Sequence, residues 1–195
     1  MLVGIEVAEP SDHELIRQTL EGTTSAFDEL VRRYQQRLVR SLEHALGSRD
    51  DAMEAAQLAF VSAWKNLSGF RQDAAFYSWL YRIAINAART ARRRKRVETS
   101  SLDRLREAGH VAEDLSPDAV PDYGLTSEER VQVIRSALAE IAEEFRQPLI
   151  LREMDGLSYD EIAKALGIPT GTVRSRIFRG RQELTEKLRR LFADA

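Results

Sequence analysis

Residues 155 to 181 read D-G-L-S-Y-D-E-I-A-K-A-L-G-I-P-T-G-T-V-R-S-R-I-F-R-G-R, and they leave little choice of local structure. Ser158, followed three residues later by Glu161, has the makings of a capping box, so a helix is predicted to start there. Ile162, Ala163 and Leu166 give that helix an inner face. Gly167 ends it, because only glycine enters the left-handed region without a steric cost. Pro169 suits the opening of a second helix. That helix is predicted to bury Val173, Ile177, Leu184 and Leu188, spaced by four, seven and four residues. Its opposite face carries Arg174, Ser175, Phe178 and Arg179.

That opposite face has groove-reading chemistry. Arginine forks onto guanine, serine bonds a base or phosphate, and an aromatic ring touches a thymine methyl. The small Ala163 allows two helices to cross closely, as in a helix-turn-helix. A helical hairpin with a solvated arginine face is the plainer alternative. Against it, alanine, glycine and valine fall together at helix-turn-helix spacing, and seven basic residues from Arg174 to Arg190 face only two acids, Glu183 and Glu186. The stretch therefore points to DNA binding.

A net charge of -2 over 195 residues would by itself argue against nucleic acid. The distribution argues for it. Trp79 to Arg96 holds seven basic residues and no acid, whereas Glu98 to Glu129 holds nine acids and two arginines. With 43 % hydrophobic and 31 % charged residues the composition suits a helical protein. The absence of cysteine removes disulfides, zinc knuckles and thiol switches within the chain. His13, His44 and His110 lie far apart, so no metal or other cofactor is expected. No apolar run approaches membrane-spanning length and no secretory signal opens the chain, so a cytoplasmic protein without direct membrane insertion is expected.

Taken in order, the chain predicts an all-α fold of two small helical domains on a flexible acidic linker, the second carrying the helix-turn-helix. Ser11 with Glu14 opens a short helix through Leu20. A longer one follows from Thr24 or Ser25, with Phe27, Leu30, Val31, Tyr34, Leu38, Leu42 and Leu46 as its stripe and Gly47 as its end. Ser48 starts an alanine-rich third helix with Asp50, Asp51 and Glu54 in its first turns. After a polar loop over 66–75, a fourth helix begins near Phe76 and runs into the arginines. Phe76, Tyr77, Trp79 and Tyr81 crowd its start, more rings than one helical face is expected to bury. Two readings stand for them: an aromatic core cluster, or stacking platforms for unpaired bases beside a phosphate-tracking basic helix. The domains are placed at 1–96 and 127–195, with a linker at 97–126. In the second domain Thr126 with Glu129 caps one helix and Pro148 is expected to open the next.

These features together resemble a family. The stretches A-F-D-E-L-V-R-R-Y, A-F-V-S-A-W-K-N-L-S-G-F-R, A-F-Y-S-W-L-Y-R-I-A-I-N, F-R-Q-P-L-I-L-R-E-M-D-G-L-S-Y-D-E-I-A and G-T-V-R-S-R-I-F-R-G-R are similar to those of bacterial RNA polymerase sigma factors of the extracytoplasmic-function group, sigma-E type. The resemblance covers nearly the whole chain. It implies a non-enzymatic factor that binds core RNA polymerase, at its clamp coiled coil and flap, and directs promoter-specific initiation. Asp51, Glu54, Gln57, Phe60 and Trp64 would dock on the clamp. Phe70, Arg71, Asp73 and Phe76 would capture a base flipped from the minus-ten element. Trp79 would lie beside them, and Arg82, Asn86, Arg89 and Arg93 would hold backbone and adjoining duplex. Arg174, Ser175, Phe178 and Arg179 would read the minus-thirty-five element. The acidic linker would pass through polymerase channels. An anti-sigma factor, often membrane-bound, is implied as a further partner, with an envelope or other stress response as the setting. Leu58 departs from the family, which usually has an acid there, and Ala142 stands where proline is common.

Two rival readings follow from the residues. A stand-alone regulator using the same helix-turn-helix would bind a palindromic operator without polymerase; the aromatic-basic stretch 76–96 has no place in it. A metal-dependent nucleic-acid enzyme built on Asp50, Asp51 and Glu54 lacks a second ligand group or base. In the sigma-factor reading the free chain binds promoter DNA weakly, and the acidic linker competes for the basic faces.

Overall fold

The computed structural model describes residues 9–103 and 127–193, and every regular element in them is helical. The order is α1 (Asp12–Leu20), α2 (Thr24–Leu46), α3 (Arg49–Lys65), a short 3₁₀ turn (Leu67–Gly69), α4 (Phe76–Asp103), α5 (Ser127–Ala139), α6 (Glu143–Glu153), α7 (Tyr159–Leu166) and α8 (Thr170–Ala193). The expected caps form: the Ser11 and Ser48 hydroxyls accept from the Glu14 and Asp51 amides at 3.3 and 3.2 Å. The box at α7 is complete, with the Ser158 hydroxyl accepting from the Glu161 amide and the Glu161 carboxylate accepting from the Ser158 amide at 2.8 Å.

α1 to α4 form the first domain. The alanines of α3 explain its tightness: Ala52, Ala55, Ala56, Ala59 and Ala63 are all buried, and with so little side chain between them α3 lies close against α2 and α4. α1 is held by Asp12, whose carboxylate accepts from Arg33 at 2.8 Å and from the Tyr34 hydroxyl. α4 runs through Asp103, past the expected linker start at 97. The rest of the linker, with the Thr126 cap, lies outside the described residues.

α5 to α8 form the second domain, with α6 packed along α8. Two expectations change here. Pro148 lies inside α6, not at its start, because the chain enters the helix at Glu143 with Ala142 as N-cap. The carbonyl that loses its partner belongs to Glu144, an exposed residue, which lets water take the place of the missing amide. The other is an addition: Gly180 lets α8 lie close to α6, where an added Cβ would sit 3.0 Å from the Phe145 carbonyl oxygen. Ala163 is only partly buried, while Ala165 is the enclosed alanine of α7.

The buried side chains of both domains form one continuous cluster, from Leu15 to Ile177. α2 meets α5 and α6, and α4 meets α7. The domains are therefore docked directly on one another.

Candidate nucleic-acid interface

In α8, Val173 and Ile177 are fully buried and Leu184 packs partly against the core. A helix turns about 100° per residue, so Arg174, Ser175, Phe178 and Arg179 emerge on the far side. All four are exposed, and Phe178, at 64 %, is the most exposed large hydrophobic among the described residues. Arg174 lies 5.8 Å from the Tyr159 ring and Arg179 is 5.4 Å from Phe145, so aromatic neighbours help orient both guanidinium groups, and Arg179 Nε also pairs with Glu183 at 3.9 Å.

In α4, Arg82, Asn86, Arg89 and Arg93 recur at spacings of four, three and four and are all exposed, forming one stripe. Trp79 flanks it, half-buried, with its ring 4.9 Å from Phe70 and 5.9 Å from Phe76. The loop carrying exposed Arg71 and Asp73 rides on this trio. Gln72 in that loop takes a positive φ of 56° and its side-chain oxygen is 2.6 Å from His13 Nδ1 on α1. Of the two readings of the crowded aromatics, the core cluster holds for three of the four rings. Phe76, Tyr77 and Tyr81 are 2, 3 and 0 % exposed, so only Trp79 keeps an accessible edge. One helical face alone could not bury them, but α4 is covered by α2, α3 and, from the other domain, α7. Phe76 accordingly wedges the loop from within, against Tyr34 and Phe70, and offers no ring to a base in this arrangement.

A third surface is chemically distinct. Glu54, Gln57, Val61 and Trp64 face outward from α3, with Met53 and Leu58 beside them; Met53, Leu58, Val61 and Trp64 are 43–53 % exposed. Asp51 is half-buried at the margin of this face, and Phe60 turns inward to pack on the core. Among the described residues, no three His, Asp or Glu side chains group as a metal-ligand set.

Sequence profiles for Sigma-70 region 2 and Sigma-70 region 4 match residues 30–98 and 132–184. The RNA polymerase sigma-H factor of Pseudomonas aeruginosa is 34 % identical over 97 % of this chain and its own full length. The ECF RNA polymerase sigma-E factor of Escherichia coli K12 is 37 % identical over 93 % of this chain and 96 % of its own. The chain belongs to the extracytoplasmic-function sigma factors. A solved structure of CnrH in complex with the cytosolic domain of CnrY superposes with a TM-score of 0.67 at 27 % identity, over 94 % of this chain and 99 % of that one. The sigma factor directs promoter-dependent transcription initiation by RNA polymerase; it is not itself an enzyme.

Sequence reasoning missed several of the sigma factor's polar residues. Asp155, in the turn between α6 and α7, has a side chain only 3 % exposed. Its carboxylate accepts from the Ser41 hydroxyl (2.8 and 2.9 Å to its two oxygens), the Tyr77 hydroxyl (2.8 Å) and Arg37 Nε (3.3 Å), all from the first domain. Arg37 Nη2 also donates to the Asp155 carbonyl at 2.7 Å and stacks 3.9 Å from the Tyr77 ring. Burial, reinforced by the neighbouring carboxylate, pushes the Tyr77 phenol far above its ordinary range, so it stays a donor. Arg146 is similarly unheralded. It is 8 % exposed, donates to the Ala139 carbonyl at 2.9 Å and so closes the end of α5; its burial lowers its pKa.

Proposed function

We propose that this sigma factor divides promoter recognition among its three surfaces. The face of α8 reads the minus-thirty-five duplex through Arg174, Ser175, Phe178 and Arg179. The stripe Arg82–Asn86–Arg89–Arg93, with Trp79 and the loop of Phe70, Arg71 and Asp73, holds the opened minus-ten strand. The outward face of α3 docks on core polymerase through Glu54, Gln57 and Trp64, with Val61 and Met53 supplying apolar area. The observation that carries this reading is the coexistence, on one small body, of a bare aromatic-basic helix face and a separate arginine stripe on another helix. A stand-alone regulator needs only the first.

Opening a base pair costs a few kcal/mol, and a stacked base returns about 1–3 kcal/mol. One module cannot melt DNA at that balance, so the polymerase must hold both modules at promoter spacing. The protein works in the cytoplasm; in support, no helix among the described residues is long and apolar enough to cross a membrane. An anti-sigma factor restrains it until an envelope or other stress. Support for a protein inhibitor comes from the CnrH structure, in which the related chain is in complex with the cytosolic domain of CnrY.

The test is co-elution with core polymerase on gel filtration. Wild type should co-elute, and Val61→Asp, at an exposed position whose change costs the fold little, should weaken association at least tenfold. Undiminished binding by Val61→Asp, or no binding by the wild type, would refute the assignment of α3.

A further inference from the structure

We infer that His13 is a positioning residue for minus-ten selectivity: by bonding Gln72 it braces the loop over 71–75 in the shape that presents Arg71 and Asp73 to the opened strand. The inference rests on the strand-contact reading of that loop given above. It brings α1, which lies outside the matched sigma regions at 30–98 and 132–184, into promoter recognition.

The ends of the loop are fixed by packing. The Phe70 and Phe76 rings meet edge to face at 5.9 Å, and Phe76 is buried against Tyr34. Between them the chain turns through Arg71, Gln72 and Asp73, all exposed. Among the described residues, Gln72 is the one non-glycine with a positive φ, 56°. The left-handed region costs a side chain of this kind about tenfold in population. Such a conformation persists only where the surroundings over-determine it. The Gln72 side-chain oxygen meets His13 Nδ1 at 2.6 Å. That oxygen can only accept, so the ring nitrogen donates. Lys164 of α7 donates to the Asp73 carbonyl, one residue on, and leaves the Gln72 side chain to His13.

His13 can serve as a brace because α1 is itself anchored beside it. Asp12 accepts from Arg33 Nη1 at 2.8 Å and from the Tyr34 hydroxyl, and Arg33 Nη2 donates to the Pro10 carbonyl at 3.0 Å. Leu15 and Ile16, one turn on, are buried. Tyr34 ties the two parts together: its hydroxyl holds α1, and its ring lies 5.7 Å from the Phe76 ring beneath the loop. The helix that carries the brace and the base of the loop are therefore set by the same stretch of α2. His13 and Gln72 are 59 positions apart, so their contact is not a by-product of local chain geometry.

Without the brace Gln72 returns to the common φ region, and the peptide groups on either side rotate with it. Arg71 and Asp73, its two neighbours, then lose their set directions. A loop that must be ordered on each encounter discriminates less than one already in shape. The loss falls on the base that the loop meets. The backbone grip of Arg82, Arg89 and Arg93 lies on α4 and does not depend on Gln72. His13 therefore sharpens base preference without adding to general affinity for the strand.

The test uses the full chain assembled with core polymerase. Mixed-sequence single-stranded 20-mers are selected on the holoenzyme and on core polymerase alone, and the bound strands are sequenced. Total binding is titrated with the unselected, fluorescein-labelled pool. Wild type is expected to show a base preference that core polymerase lacks, strongest at one position. His13→Ala is expected to lower the preference at that position about fivefold, with total binding and the other positions changed less than twofold. Gln72→Ala should show the same loss, and the double variant no more than either alone. His13→Asn, whose side-chain amide can donate from near the place of Nδ1, should restore most of the preference. Both positions are exposed, so thermal melts should match wild type, and each single variant tests the brace without the other. An unchanged preference in the folded single variants would overturn the brace. So would an equal loss at every position, additive losses in the double variant, or a loss that His13→Asn does not relieve. A wild-type preference no different from that of core polymerase alone would instead refute the strand-contact reading of the loop, and the brace with it.

Discussion

Gly180 offers a sharp test of how α8 is held. It lies in mid-helix, where alanine ordinarily gains about 1 kcal/mol over glycine. Here the added methyl would meet the Phe145 carbonyl oxygen at 3.0 Å and Leu149 side-chain atoms at 3.5 Å. The first contact is with helix backbone, which cannot rotate away, so α6 and α8 must separate by several tenths of an ångström. Overpacking of this kind costs about 1–3 kcal/mol. Subtracting the propensity gain leaves Gly180→Ala destabilised by about 1 kcal/mol, or about 4–8 °C in Tm for a domain of this size. Gly171 supplies the control: it is in the same helix, exposed, with nothing within 4 Å of an added Cβ. Gly171→Ala should leave Tm unchanged or raise it, by up to about 1 kcal/mol of propensity. Thermal denaturation followed by circular dichroism measures both. If Gly180→Ala melts at or above wild type, the close approach is not a constraint and the packing account of α8 fails.

Arg174→Ala should reduce minus-thirty-five selectivity by about 1–3 kcal/mol, the worth of a bidentate base contact; transcription by the holoenzyme from promoters altered at single positions reads it, and an unchanged preference pattern counts against the assignment. Arg93→Ala should instead weaken binding to all sequences and lower the slope of log affinity against log salt by about 1, measured by anisotropy titration across salt. His44 is held below its ordinary pKa, first by burial and then by the Arg135 guanidinium. The unfolded chain therefore takes up this proton first, and the contribution is complete above about pH 6.5 and lost as pH falls through the lower folded value. Denaturant melts between about pH 7.5 and 5.5 should show falling stability, with a shallower slope in His44→Gln; equal slopes would refute it.

Local structure was largely legible because caps and periodicity act within a few residues. Ser11, Ser48 and Ser158 cap as read, and the buried and exposed faces of α8 follow from spacing alone. The four residues of the α4 stripe were named through the family resemblance, not through spacing. What spacing could not convey was the docking of one domain on the other. Phe76, Tyr77 and Tyr81 look too many for one helix because the extra cover comes from residues far along the chain. Asp155 reads as a turn residue ahead of a capping box until Ser41, Tyr77 and Arg37 are brought to it. Gly180, between two arginines, reads as a weak spot in a basic helix, and only the neighbouring helix gives it a purpose. Pro148 marks a helix start by rule, but here it lies inside α6, where the carbonyl left without an amide belongs to the exposed residue Glu144.

The central claim is that one domain grips opened strand, the other grips duplex, and polymerase sets the distance between them. It is tested most directly by in vitro transcription of fragmented genomic DNA with core polymerase, with and without this protein, mapping transcript 5′ ends. The account predicts new start sites, present only with the sigma factor, preceded by two sequence blocks at a fixed separation. Start sites indistinguishable from those of core polymerase alone would contradict it.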